Sequence, residues 1–185
     1  MGTAGEKSEG AVAMETILGG PDGDRRARGV AALNAVIADA YVLLVKTRKA
    51  HWDLAGARFH ALRARWDEQY DALAEAIDAL AARVRALGGE PVATMEGPVT
   101  EDALREEVGR VLNDALSVES LLADHDAMIR ALERCDDAGD GEAAALLRRL
   151  IRERARDARR LRGFVDDVAR VEARRAEPSY ELAAP

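Results

Sequence analysis

Histidines and carboxylates are the residues of this chain whose types could bind a metal ion. A di-iron site inside one helix bundle would need Glu three positions before each of two histidines, together with two further glutamates. None of the histidines meets that condition, because Arg, Ala and Leu stand at those positions. The pattern therefore does not support a di-metal site within a single bundle. The histidines are His51, His60 and His125.

A regular acidic face supplies the carboxylates. Asp67 and Asp78 are 11 residues apart, so on a helix they share a face to within about 20° but lie roughly 16 Å apart along its axis. One metal ion cannot bind both within one chain. Two chains packed antiparallel about a two-fold axis could bring Asp67 of one chain near Asp78 of the other, and His51 could join them. A solvated acidic face beside a satisfied core histidine is the alternative, and spacing alone favours it. The face comprises Asp67, Asp71, Glu75 and Asp78.

Composition excludes several other kinds of chemistry. The 185 residues carry 27 basic and 34 acidic side chains, and the resulting net charge of −7 does not favour nucleic-acid binding. A lone cysteine, Cys135, permits no intrachain disulfide and no thiolate zinc cluster. The sequence has no Gly-rich phosphate loop, His-Glu-x-x-His motif or nucleophile elbow. The longest apolar run, Ala40 to Val45, is too short to span a bilayer, so we expect a cytoplasmic protein.

Helical periodicity dominates the segments that must position these residues. Apolar residues recur at three- and four-residue steps, and no strand-like alternation is seen. This pattern predicts an all-α fold, a four-helix bundle over 26–175, with a flexible N-terminal tail (1–25) and a C-terminal tail (176–185). His51 continues the buried stripe of the first helix. The predicted long helices cover about 26–54, 58–87, 117–137 and 142–175, and a short helix at about 100–111 lies in the central connection.

Several segments together resemble the Dps family, the ferritin-like proteins that protect DNA in starved bacteria. The most specific feature is a His-Trp pair followed by Asp-Glu-Gln-Tyr, and the resemblance covers about Val30 to Asp167. The matching segments are KTRKAHWDLAG (46–56), FHAL (59–62), DEQY (67–70), LAEAID (73–78), RVRALGG (83–89), LLADHD (121–126) and AGD (138–140).

The resemblance implies a ferritin-like four-helix protomer that forms a homo-oligomer, a hollow shell of twelve subunits. Such shells oxidise iron, preferably with peroxide, at sites shared by two subunits, and they store it as a ferric mineral. The family ligands carried over by motif are His51 and Asp67 from one chain and Asp78 from its neighbour, and Trp52 lies beside the site. Iron is thus the implied cofactor, and protection against oxidative stress is the implied role.

Two positions depart from the family's ligand set. Arg63 lies four residues before Asp67, where the family usually has a second histidine, and Ala82 lies four residues after Asp78, where it usually has glutamate. A guanidinium repels a ferrous ion, and alanine removes an oxygen ligand that iron favours. We hypothesise that Arg63 partly replaces the metal's charge by pairing with Asp67 and with Asp78 of the partner subunit. Ferroxidation would then be weak or lost while the shell survives, and a structural or DNA-associated shell is the alternative function.

Charged segments near the chain ends bear on DNA binding and ion entry. The N-terminal segment has one lysine, Lys7, before Arg25, so it is a poor DNA-binding arm. The segment 148–175 holds 11 arginines and five acids; it could bind phosphate backbones and associate with the nucleoid, although a salt-bridged face is favoured. In the family the turn into the last helix lines the iron-entry pores, where acidic side chains concentrate cations, and helix capping accounts for the same residues. They are Asp136, Asp137, Asp140 and Glu142.

Overall fold

The protein is described by a computed structural model that covers residues 21–53, 60–92, 104, 114–135 and 141–176. Every secondary-structure element in these residues is an α-helix. The helices are α1 (Pro21–Asp53), α2 (His60–Ala86), α3 (Asp114–Arg134) and α4 (Gly141–Ala176). The prediction of an all-α protein with four long helices is confirmed.

The four helices pack as a bundle in which each helix touches two others. α1 packs on α2 and on α3, and α4 packs on α3 and on α2. Arg83, near the end of α2, donates a 2.5 Å hydrogen bond to Glu142 in the first turn of α4, so these two helices run antiparallel. Cys135 at the end of α3 lies against the carbonyl of Ala32 near the start of α1, at 3.7 Å from its Sγ, which makes that pair antiparallel as well.

The core is built mainly from Leu, Ala, Val and Ile, as the low aromatic content requires. The predicted stripe of α1 is buried at Leu33, Ile37 and Ala40. The predicted seam of α2 is buried at Trp66 and Leu73, and on to Val84. Burial of a side chain of this size is worth about 1.5–3 kcal/mol, so these two stripes fix how α1 and α2 face each other.

Glycine and proline define the helix ends in two different ways. Gly88 has φ +83° and follows the end of α2, and the Gly89 N–H donates to the Val84 carbonyl at 3.0 Å, as in a Schellman cap. A Cβ on Gly89 would come within 2.5 Å of a Val30 methyl, so α1 can approach only a glycine here.

The predicted start of α1, at about residue 26, was wrong by five residues. Pro21 begins α1 instead of breaking it, because proline is well suited to the first helical position.

α1 is also long and apolar enough to be compared with a membrane span. By length and composition alone Gly23–Asp53 could cross a bilayer. Core helices of globular proteins pass the same test. Here Leu33, Ile37 and Leu43 have no exposed surface and pack in the bundle core, so the apolar face of α1 is accounted for by the bundle.

α4 packs normally despite its many arginines. The segment 156–161 holds three arginines and one aspartate among its six residues. Ala158 and Leu161 are buried, whereas Arg159 and Arg160 are exposed. The helix is therefore amphipathic through this segment, and the arginines occupy its outer side.

Some predicted features lie outside the described residues. These are the tail over 1–20, the end of the C-terminal tail, the short helix of the central connection and three of the four pore candidates (Asp136, Asp137 and Asp140). The fourth, Glu142, pairs with Arg83. The start of the central connection is held to α1 by Asn34, whose amide donates to the Glu90 carbonyl at 2.8 Å and accepts from the Val92 N–H at 2.9 Å.

Candidate metal centre

Two of the three predicted ligands meet where α1 ends and α2 begins. His51 is in the last turn of α1, and its Nδ1 lies 3.4 Å from Oδ1 of Asp67 on α2. The His51 Nδ1 is buried and has no hydrogen-bond partner among the described residues. The antiparallel packing of α1 on α2 therefore places an imidazole nitrogen beside a carboxylate oxygen, and both are atoms that can bind a metal.

A cation that the sequence analysis did not assign to the site also contacts Asp67. Arg48 Nη1 donates to Oδ1 of Asp67 at 3.2 Å, and the guanidinium stacks 3.8 Å from the centroid of the Tyr70 ring. The sequence contains a signal for this contact, because Arg48 precedes His51 by three residues and so shares its helix face. The Asp67 carboxylate thus faces one nitrogen that can bind a metal and one cation that competes with it.

The third predicted ligand is not part of this contact. Asp78 is exposed on α2, 11 residues after Asp67, which places it about 16 Å further along the helix. Ala82 and Arg63 are also exposed on α2. Trp52 follows His51 directly and is 73% exposed, so its ring is not used in the core of this chain.

Within the described part of one chain, no group of three or more His, Cys, Asp or Glu residues could hold a metal ion. The donor set of His51 and Asp67 fits iron in chemistry, with one nitrogen and one carboxylate oxygen. It is incomplete in number, and Arg48 already bonds to the oxygen. One chain therefore presents part of a metal site.

His125 and Cys135 do not add ligands here. His125 is fully buried, and burial together with the nearby Arg154 lowers its pKa to about 3, so it is neutral at neutral pH. Burial raises the pKa of Cys135, which leaves it a protonated packing residue. The backbone of His60 begins α2, and its side chain lies outside the described residues.

Comparisons with known proteins agree with this architecture. A ferritin-like domain model matches residues 30–171. The chain is 39% identical to a low temperature-induced protein of Nostoc sp. over 88% of this chain and 93% of that one. It is 34% identical to the DNA protection during starvation protein of Halobacterium salinarum, over 89% and 90%.

The solved structures agree as well. The archaeal Dps homologue from Halobacterium salinarum superposes with a TM-score of 0.69 at 31% identity, covering 77% of this chain and 82% of that one. The family model runs from within α1 to within α4. This chain therefore belongs to the ferritin-like proteins and, among them, to the Dps family.

Proposed function

We propose that this chain builds a Dps-like shell that takes up iron and protects against oxidative stress, and that iron oxidation is weakened at the site itself. The observation that carries the proposal is the 3.4 Å approach of His51 Nδ1 to Asp67 Oδ1. Nitrogen and carboxylate oxygen together suit ferrous iron, and both residues belong to the family's motif. The names of the relatives, which refer to starvation and low temperature, support a role in stress.

A complete site requires a second chain. Asp78 is exposed and too far along α2 to join Asp67 in the same chain. An antiparallel pairing of two α2 helices would bring Asp78 of the partner subunit to His51 and Asp67, giving three ligands for one ion. We propose that the protein is a homo-oligomer of twelve such chains in the cytoplasm, with iron entering as its substrate.

Three residues weaken oxidation in this proposal. Arg63 and Ala82 replace an imidazole and a carboxylate that the family usually provides. Arg48 adds a guanidinium bonded to the Asp67 oxygen, and an incoming ferrous ion must compete with it. Fewer donors and more positive charge both lower the affinity for a divalent cation.

The test is iron oxidation by the iron-free shell in ferrous iron and peroxide, measured as iron that co-elutes with the assembled protein. We expect the wild-type protein to accumulate iron slowly, but faster than a protein-free solution. The double variant Arg63→His, Ala82→Glu restores two ligands, and it should oxidise iron on the order of tenfold faster.

Matched substitutions on the same helix serve as controls. Arg65→His and Ala86→Glu make the same chemical changes at exposed positions of α2 outside the ligand set, and they should leave the rate near that of the wild type. If the wild type already oxidises iron as fast as the double variant, the weakening of the site is refuted. If the iron that co-elutes with the assembled shell never exceeds the iron found in the same fractions of the protein-free control, iron uptake itself is refuted.

A shell that associates with DNA without oxidising iron is the second candidate. Exposed arginines along α4, among them Arg152 and Arg159, favour it. Others are engaged within the chain; Arg162, for example, contacts Asp126 of α3 at 2.9 Å. A salt-sensitive shift of duplex DNA by the shell, lost in Arg152→Gln, Arg159→Gln, would support this function, and no shift at low salt would exclude it.

A further inference from the structure

A second polar site lies on the side of α2 that faces α4. A cavity of about 270 Å³ separates the two helices there. Four arginines and three carboxylates are among the residues that line it, which leaves one net positive charge. The lining arginines are Arg65, Arg154, Arg156 and Arg160.

Arg154 is the unusual member of this lining. Its side chain is 1% exposed, and a guanidinium carries five N–H donors. None of its three nitrogens has a hydrogen-bond partner among the described residues. The nearby ring of His125 does not supply one, because both of its nitrogens also lack partners there. A buried cation with unused donors is costly unless something pairs with it.

The carboxylates of the cavity only partly meet this need. Oδ2 of Asp157 lies 3.4 Å from Nη2 of Arg154, while Oδ1 of Asp157 faces Arg160 at 3.8 Å. Burial raises the pKa of Asp157, against the opposing influence of Arg154 and a hydrogen bond from Gln69.

The remaining two carboxylates have their own cations. Glu68 faces Arg65 at 3.4 Å, and Glu153 faces Arg149 at 3.8 Å. Among the residues that the structure describes, the guanidinium of Arg154 therefore remains underpaired at the wall of the cavity.

We propose that this cavity binds a small tetrahedral oxyanion of the phosphate class, held by the guanidinium of Arg154 with Arg160 at the exposed rim. A guanidinium presents parallel N–H donors that match two oxygens of such an anion. The anion would supply the acceptors that Arg154 lacks and would balance the net charge of the lining. The cavity lies between α2 and α4, so it is independent of the contact between His51 and Asp67.

The same phosphate chemistry could come from free phosphate or from the backbone of DNA. The cavity is smaller than pockets that hold drug-sized ligands, and Arg154 is almost completely buried. Both observations favour a free ion, since a phosphodiester would have to carry two nucleosides to the same depth. We therefore assign the site to free inorganic oxyanion.

Calorimetric titration of the iron-free full-length protein with inorganic phosphate, at neutral pH and constant ionic strength, tests this assignment. We expect saturable binding with one phosphate per chain and no comparable signal with chloride. Arg154→Met keeps the size of the side chain but removes the donors, and it should weaken binding by at least about tenfold. Arg170→Met removes an exposed arginine from the same helix outside the cavity, and it should change the affinity by less than about twofold.

Arg160→Met supplies a second measurement at the rim, where the side chain is 49% exposed, so we expect the fold to tolerate its loss. It should weaken phosphate binding by about threefold, and it decides the matter if Arg154→Met fails to assemble. The proposal is overturned if the wild type shows no saturable binding, or if Arg170→Met weakens binding as much as the cavity variants do. Binding of a duplex oligonucleotide that Arg154→Met and Arg160→Met abolish, in the absence of phosphate binding, would also overturn it.

Discussion

The bundle contains two polar clusters of similar composition that differ in how much solvent reaches them. The metal-site cluster (Arg48, His51 and Asp67) lies at the end of α1, and its carboxylate is 52% exposed. The buried arginine cluster (His125, Arg154 and Asp157) lies inside the bundle, and its cation is 1% exposed. Each cluster combines one arginine, one histidine and one aspartate.

Because solvent exposure differs, interactions among the same three residue types are weak in one cluster and strong in the other. In the metal-site cluster, water screens the contact between Arg48 and Asp67, so the ion pair is weak and a metal ion can displace the cation. In the buried arginine cluster, water cannot replace a lost partner, so each charge depends on the others. The first cluster is suited to exchanging ligands, and the second makes stability depend on charge.

The largest expected effect is the loss of the buried carboxylate. Asp157→Asn keeps the shape of the side chain but leaves Arg154 without its nearest negative charge. We expect a loss of about 3 kcal/mol in the free energy of unfolding, measured by urea denaturation at fixed protein concentration. Asp167→Asn is the matched control, because Asp167 pairs with Arg170 at 2.9 Å on the exposed side of α4, and it should cost less than about 1 kcal/mol. Equal losses in the two variants would show that burial does not make the ion pair of Asp157 more important for stability than an exposed pair.

The next effect is a dependence of stability on pH that comes from His125. Its pKa is about 3 in the folded protein and 6.5 in the unfolded chain, so the unfolded chain binds a proton first as the pH falls. The stabilisation is complete above pH 6.5 and is lost progressively between pH 6.5 and 3. The slope is about 1.4 kcal/mol per pH unit, and His125→Gln should remove it.

Urea denaturation of wild type and His125→Gln across that pH range measures this slope. Carboxylates, including Asp157, titrate in both proteins, so the difference between the two curves isolates the histidine. Parallel curves for wild type and His125→Gln would contradict the prediction.

The sequence predicted the scaffold better than the two clusters. Apolar spacing located the stripes of α1 and α2, since burial is repeated every three or four residues and many positions agree. The meeting of His51 with Asp67 followed from the family motif. The contact between Arg48 and Asp67 was missed because it depends on how two helices face each other, which no single helix pattern specifies.

The buried arginine cluster was hidden for a different reason. Arg154 lies among ten other arginines between 148 and 175, and arginine in such a segment is normally solvated. Only the rotation of α4 against α2 determines which arginine turns inward. The start of α1 was predicted too late in the sequence, because the glycines and proline at 19–23 are typical of a segment that breaks a helix. In the structure Pro21 instead occupies the first position of the helix.

A smaller effect on stability, but a clear one on iron, is expected from Asp67→Asn. Because the Asp67 carboxylate is half exposed, losing its charge should cost at most about 1 kcal/mol in unfolding free energy. Iron oxidation by the shell should fall on the order of tenfold, because a charged oxygen ligand is lost. Asp71→Asn, at another exposed position of the acidic face, should change neither quantity by as much. A substantial loss of stability in Asp67→Asn would show that the metal-site cluster contributes to stability as the buried cluster does, and would contradict the contrast between them.

Arg48→Gln tests whether the guanidinium competes with iron, and its change in stability should be about as small as that of Asp67→Asn. The variant removes the 3.2 Å contact with Asp67 and the stacking on Tyr70, and together these are worth about 1 kcal/mol at a partly exposed site. With the cation gone, Asp67 is free to accept a ferrous ion, so the initial rate of iron oxidation should rise several-fold. Lys49→Gln removes an equal charge from the next residue, where Lys49 pairs with Asp53 on the same helix, and it should leave the rate near that of the wild type. If both variants raised the rate equally, the gain would come from the general field of the helix, and Arg48 would have no specific hold on the ligand.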